Sequence, residues 1–71
     1  MSKTTWSITY GLDEVVFCYE GKFITSAIIE NTILDDIQRK HDILIYTQNM
    51  KDGSKREFTI FPNGKINRRN Y

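Results

Sequence analysis

The sequence predicts a mainly β domain, a small antiparallel barrel or curled sheet of five short strands. Three observations indicate it: apolar and polar residues alternate over short runs, β-branched and aromatic residues dominate those runs, and glycine-containing turns separate them. Strands joined by such short turns pair antiparallel with their neighbours. A chain of 71 residues has to curl a sheet of this kind to cover its edges and its apolar face.

The first predicted strand places Trp6, Ile8 and Tyr10 on one face, because they alternate with Ser7 and Thr9. The further predicted strands are Glu14 to Tyr19, Lys22 to Ile29, Asp42 to Met50 and Ser54 to Phe61, and a last short segment of strand character runs from Lys65 to Arg68. Along the strand before this last segment, Arg56, Phe58 and Ile60 share a face.

The turns between these strands are marked by glycine. Asp52-Gly53 and Asn63-Gly64 are the dipeptides that best suit type I′ hairpin turns, in which both central residues need positive φ. Glu20-Gly21 is a weaker example of the same signal. We therefore expect hairpins at all three places.

The stretch TSAIIENTILDDIQRKH supports two interpretations. Ile29, Ile33 and Ile37 recur every four residues, as in a helical stripe, and Asp35-Asp36 precede Arg39-Lys40 in the order that a helix dipole favours. The β-branched residues before it favour a strand. We expect a strand to about residue 31 and a loop or short helix around 32–40. A longer helix, giving a ββαββ α+β fold, is the alternative.

Length and composition predict a single domain, 1–71, with a basic C-terminal end at 65–71. The single Cys18 permits no internal disulfide, and with the single His41 it is too few ligands for an ordinary zinc site. Cys18 is interpreted as a small buried apolar residue and His41 as a surface residue. We expect no enzyme activity, no metal and no cofactor, and a soluble, cytoplasmic protein without a membrane segment.

One order of elements is spread over two segments, GLDEVVFCYEGKFITSAIIENTI and YTQNMKDGSKREFTIF. A glycine and an acidic residue precede an apolar strand, which is followed by a turn, a long strand, a loop and a hairpin. This order resembles the SH3-like small barrels, including Tudor- and KOW-type modules, over about Gly11 to Phe61. Leu12 interrupts the Gly-Asp pair usual there, and no ordered aromatic cage can be assigned to individual residues. The resemblance implies a binding module rather than an enzyme.

Charge is distributed unevenly: residues 51–71 carry a net +4 and residues 1–50 a net −3. We predict a small adaptor or regulator, encoded by a phage or mobile element, that binds a larger protein through an aromatic and basic face. The predicted contact residues are Trp6, Tyr10, Tyr19, Lys55, Arg56 and Phe61. Trp6, Tyr10 and Phe61 are expected to stay partly open.

The alternative function is nucleic-acid binding. Cations interleaved with aromatic residues on a sheet can follow a phosphate backbone while the rings stack on bases. The residues for this role are Lys55, Arg56, Lys65, Arg68 and Arg69. An overall pI of about 7.9 favours the protein partner, since nucleic-acid-binding domains usually exceed about 9. The chain is expected to be a monomer, or a homodimer joined through an edge strand.

Overall fold

The computed structural model describes residues 6–71, and these residues form seven β-strands and no helix. The strands are β1 Trp6–Tyr10, β2 Glu14–Tyr19, β3 Lys22–Ile28, β4 Thr32–Lys40, β5 Ile43–Met50, β6 Lys55–Ile60 and β7 Ile66–Asn70. The predicted mainly β class is confirmed. The predicted number of five strands is wrong, because the stretch around 32–40 and the C-terminal segment each supply a full strand.

The chain divides into two compact units, the first ending at Glu30 and the second comprising Asn31–Tyr71. The first unit is a three-stranded sheet in the order β1-β2-β3, and the second is a four-stranded sheet in the order β4-β5-β6-β7. All neighbours in both sheets pair antiparallel. Each sheet is open and has two edge strands, so the described residues form no closed barrel. The single-domain prediction stays a prediction.

The three-stranded sheet has one well-buried face. The register pairs Trp6 with Tyr19 and Ile8 with Phe17, so the side chains predicted to share a face in β1 do so. Trp6, Val15 and Phe17 are buried on it. The Trp6 and Tyr19 rings meet edge to face with centroids 5.0 Å apart, a favourable cross-strand aromatic pair. The alternation of side chains between the two faces of β1 and β2 therefore places these residues together in one core.

The predicted helix around 32–40 is wrong, and so is the ββαββ alternative, since this stretch is strand β4. From Leu34 to Lys40 its residues pair continuously with β5, with Ile37 opposite Tyr46 and Lys40 opposite Ile43, and the register shifts by one residue between Thr32 and Leu34. His41 has a φ of +57°, which allows the two strands to be joined by only two residues. Apolar and polar residues alternate strongly in β5, and pairing with this strand stabilises a strand at residues 32–40 more than the four-residue spacing of isoleucines there stabilises a helix.

The three predicted hairpin turns are present, but two differ in type. Glu20 and Gly21 both have positive φ, as a type I′ turn requires. At the other two turns only Gly53 and Gly64 have positive φ. The N–H of Gly53 donates to the Met50 carbonyl, and the N–H of Gly64 donates to the Phe61 carbonyl, both at 3.0 Å. These are three-residue loops ending in a left-handed glycine, not two-residue type I′ turns.

The buried face of the four-stranded sheet combines apolar packing with a polar network. Alternate residues of β5 are buried, as is Ile60 of β6. The Tyr46 hydroxyl donates to the Asp35 carboxylate at 2.9 Å, and Gln48 Nε2 donates to the same hydroxyl at 3.3 Å. Asp35 thus links edge strand β4 to the core through a charge-assisted hydrogen bond.

Residues 6–71 contain no helix that is long and apolar enough to cross a membrane.

Candidate functional site

The five basic residues predicted for nucleic-acid binding all lie on the β6–β7 hairpin or its turn, but on two faces. Glu57 stands opposite Arg69, whereas Phe58 stands opposite Arg68. Side chains alternate between faces along a strand, so Lys55 and Arg69 lie on one face of the sheet. Arg56 and Arg68 lie on the other, which is also the face of buried Tyr46.

The face with Lys55 and Arg69 carries an ordered group that we call the Tyr71 cluster, consisting of Lys55, Glu57, Arg69 and Tyr71. The Tyr71 hydroxyl donates to the Glu57 carboxylate at 3.2 Å and accepts from Arg69 Nη1 at 3.4 Å. The Lys55 ammonium lies 5.8 Å and the Arg69 guanidinium 6.0 Å from the centroid of the Tyr71 ring. Two cations therefore contact one aromatic ring within cation–π range.

Backbone pairing positions Tyr71. Its N–H donates to the Lys55 carbonyl at 2.8 Å, and the Lys55 N–H donates back at 3.4 Å. The ladder between β6 and β7 therefore continues one residue past β7, and the ring is held on the sheet. The pKa of Arg69 is raised by its hydrogen bond to the Tyr71 hydroxyl, with a smaller contribution from the charge of Glu57. The guanidinium, like that of any arginine, is charged at physiological pH.

Tyr71 nevertheless remains available to a ligand, because 60% of its surface is exposed. A depression of about 370 Å³ lies beside the cluster. Its lining residues are Glu57, Thr59, Asn67, Arg68 and Arg69. The exposed Tyr71 ring therefore lies beside two cations and next to a polar depression.

The opposite face of the hairpin holds the remaining cations against aromatic rings. The Arg68 guanidinium lies 5.8 Å from the centroid of Phe58, whose ring is 5.9 Å from that of Tyr46. Arg56 is half-buried on the same face. Lys65 is exposed in the turn before β7. These cations are spread around the hairpin and do not form one contiguous basic surface.

The predicted protein-contact residues are divided between the two units. Trp6, Tyr10 and Tyr19 belong to the three-stranded sheet, and Lys55, Arg56 and Phe61 to the second unit. Lys55 and Arg56 stand on opposite faces of β6, and the role of the six residues in binding stays a prediction. The expectation that Trp6 stays partly open is wrong, because only 3% of its surface is exposed.

The same expectation is confirmed for two other aromatic residues. Tyr10 is 51% exposed. Phe61 is half-buried. Both rings can therefore contribute apolar area to a contact with a partner. Tyr19 is also half-buried, so part of its ring can contribute as well.

Several exposed apolar side chains were not predicted. Phe23 and Ile28 stand on edge strand β3 and are more than half exposed, and Leu12 is fully exposed in the turn after β1. The position of Leu12 between Gly11 and Asp13 was the available signal, since such short turns lie at the surface. The Tyr71 cluster was also missed, because its members meet only through the register of β6 and β7.

The two residues examined for a reactive or metal-binding role, Cys18 and His41, lie in different parts of the chain. Cys18 is opposite Phe23 and is partly exposed, so its interpretation as a buried residue is wrong. It stands on the face opposite buried Phe17, as alternation requires. His41 lies in the β4–β5 turn. Within residues 6–71, no three His, Cys, Asp or Glu side chains gather in a way that could hold a metal ion.

A scan against protein-family models and searches of curated proteins and of solved structures found no match to this chain.

Proposed function

We propose that the chain is a non-catalytic binding module, an adaptor or regulator that engages a larger protein through the Tyr71 cluster. The observation that carries the proposal is an exposed tyrosine ring that two cations contact at about the same distance, 5.8 Å for Lys55 and 6.0 Å for Arg69. Tyrosine and arginine dominate the energetic centres of protein interfaces. A ring already ordered by a hydrogen bond loses little conformational entropy on binding.

The partner surface that fits this cluster is apolar at its centre and acidic around it. Burial of the Tyr71 ring supplies affinity, while Lys55 and Arg69 attract carboxylates and orient the partner. Glu57 contacts the Tyr71 hydroxyl at 3.2 Å and offers an acceptor beside the ring. The resemblance to SH3-like small barrels supports the same class of function, and a phage or mobile-element origin belongs to this proposal as well.

Single-stranded nucleic acid is the second candidate, and one observation favours it: the same ring and cations could stack a base and contact its phosphate. Two observations weigh against it. Glu57 lies inside the cluster and repels phosphate, and Arg68 stands on the opposite face from Arg69, so one strand cannot contact both faces of the hairpin at once. The protein partner is therefore the better supported function.

Affinity capture with matched variants tests the proposal. Wild-type protein, Tyr71→Ala and Lys55→Ala/Arg69→Ala are immobilised and exposed to extract of the source cell or its host, with and without nuclease treatment. A protein that wild type retains and both variants release supports the proposal, provided that Arg56→Ala/Arg68→Ala, which changes the opposite face, still retains it. Retention that is equal in all four proteins, or that disappears with nuclease, contradicts it.

A further inference from the structure

Strands β4 and β7 are the two edges of the four-stranded sheet. We propose that β7 of one molecule pairs antiparallel with β4 of a second copy, so that the sheet continues from molecule to molecule. An edge strand presents unpaired backbone donors and acceptors and is a template for such pairing. The inference concerns self-association and is independent of the protein partner proposed above.

The hydrogen bonds of β6 show which backbone groups of β7 face outward. Lys55 and Tyr71 exchange both backbone hydrogen bonds, and the Phe61 N–H donates to the Lys65 carbonyl. Bonded and non-bonded pairs alternate in an antiparallel ladder, so the odd-numbered residues of β7 bond to β6. The N–H and C=O groups of Ile66 and Arg68 therefore point away from the sheet. All five residues of β7 are exposed.

The same reasoning applies to β4. The Met50 N–H donates to the Ser54 carbonyl, so the even-numbered residues of β5 bond toward β6 and the odd-numbered ones toward β4. The partners of those odd-numbered residues include Asp36, which stands opposite Thr47. Asp35 and Ile37 alternate with it, and their backbone groups point outward. Both edges thus offer complementary donors and acceptors.

The charges on the two edges are complementary over part of their length. Edge β7 carries Arg68-Arg69, and edge β4 carries Asp35-Asp36 in its middle and Arg39-Lys40 at its end. The four strands alternate in direction, so a second copy displaced sideways brings its β4 antiparallel to β7. Cross-strand pairing from Ile37 through Tyr46 and Phe58 to Arg68 shows that Ile37 and Arg68 lie on the same face.

One register satisfies the faces, the outward backbone groups and the charges together. It places Ile66 opposite Ile37 and Arg68 opposite Asp35, with Arg69 diagonal to Asp36 on the other face. Opposite charges in cross-strand pairs stabilise a sheet, and apolar pairs do so as well. Asp35 accepts the Tyr46 hydroxyl, and a carboxylate can accept further hydrogen bonds from a guanidinium.

Pairing of like edges is disfavoured. When the β7 strands of two copies pair antiparallel about their central residue, Arg68 stands opposite Arg68. When two β4 strands pair in this way, Asp36 stands opposite Asp36 or Asp35 opposite Asp35. Like charges directly opposite each other destabilise a sheet. A contact between unlike edges leaves one free edge on each side, so copies add head to tail and do not stop at a symmetric dimer. The monomer or homodimer expected from the sequence is the alternative to this mode of association.

A charge swap tests the inference. Asp36→Arg and Arg69→Asp each place like charges at the contact and are expected to weaken self-association about tenfold. The double variant restores it, because the reversed charges meet again between molecules. Within one chain the two residues are three strand spacings apart, about 14 Å. That exceeds the screening length of about 8 Å in physiological salt, so the rescue cannot arise inside one molecule.

The measurement is sedimentation velocity from about 10 μM to about 1 mM protein, the range of weak association. Lys51→Asp, a reversal in an exposed turn, is the control and is expected to behave as wild type. Ile66→Pro is a second probe, since it removes an outward N–H at the first residue of an edge strand and abolishes association without breaking a β6–β7 bond. Monomeric wild type throughout this range, a dimer that does not grow, or a double variant without rescue overturns the inference.

Discussion

Replacing Tyr46 with phenylalanine tests the polar network of the second unit. The side chain is fully buried, and its hydroxyl donates to the Asp35 carboxylate at 2.9 Å while accepting from Gln48 at 3.3 Å. Tyr46→Phe keeps the ring and removes only the oxygen, so packing stays almost unchanged. The carboxylate loses a donor and Gln48 loses an acceptor.

The size of the effect follows from the charge and the burial. A hydrogen bond to a charged group contributes about 1.5–3 kcal/mol, so we expect the free energy of unfolding to fall by about 2 kcal/mol. In a chain of this size each kcal/mol lowers Tm by about 4–8 °C, so Tm is expected to drop by about 8–16 °C. That is a large share of the stability of so small a protein.

Tyr71→Phe is the matched control. Its hydroxyl also contacts a carboxylate, that of Glu57 at 3.2 Å, but the side chain is exposed. Exposed polar contacts contribute little, so this variant is expected to lose less than about 0.5 kcal/mol. Urea and thermal unfolding followed by circular dichroism measure both variants. Equal losses in the two variants would refute the reasoning.

A double-mutant cycle assigns the effect to its partner. If the Tyr46 hydroxyl acts through Asp35, the cost of Tyr46→Phe falls by about 1 kcal/mol or more in an Asp35→Ala background. An undiminished cost in that background would show that the hydroxyl stabilises the sheet by other contacts.

Three further predictions concern turns and faces. Gly64→Ala is expected to destabilise by about 1–2 kcal/mol in urea unfolding, because φ is +97° there although the added methyl meets no neighbour within 4 Å; an unchanged midpoint would contradict this. The pKa of Asp52 is lowered by hydrogen bonds from the Ser54 hydroxyl and then the Ser54 N–H. A lowered pKa stabilises the folded state above the unfolded pKa of about 3.8, and this stabilisation is lost as pH falls through the folded pKa. Asp52→Asn is therefore expected to be less stable than wild type at neutral pH, and the difference in stability is expected to narrow below pH 3.8. A difference in Tm that stays constant with pH in thermal scans excludes this linkage. Phe17→Ala is expected to cost about 3–5 kcal/mol and Phe23→Ala less than about 0.5 kcal/mol, because Phe17 is buried and Phe23 is 65% exposed; similar losses would show that the face assignment is wrong.

The strands were predictable where alternation was strong, as in β1 and β5, and not where spacing was ambiguous. Ile33 and Ile37 are four residues apart, and residues four apart share a face in a strand as well as in a helix. The isoleucine spacing therefore could not separate the two. Only the pairing of β4 with β5, which depends on the left-handed conformation of His41, decides for the strand.

The candidate site was predictable in its residue types but not in its arrangement. A two-residue turn at Asn63-Gly64 would pair Pro62 with Lys65, whereas the observed three-residue loop pairs Phe61 with Lys65. A shift of one residue moves every following side chain to the other face. The meeting of Tyr71 with Lys55 therefore follows from loop geometry, which the dipeptide does not determine.

Photo-crosslinking from position 71 tests the central proposal most directly. A benzoyl-phenylalanine at position 71 keeps an aromatic ring on the exposed face, and the same group at Asn63, in the neighbouring turn, serves as the control. The proposed function predicts a discrete protein adduct from position 71 that resists nuclease, that unlabelled wild type competes away and that the Lys55→Ala/Arg69→Ala variant does not. An adduct that nuclease removes, or identical adducts from both positions, would contradict it.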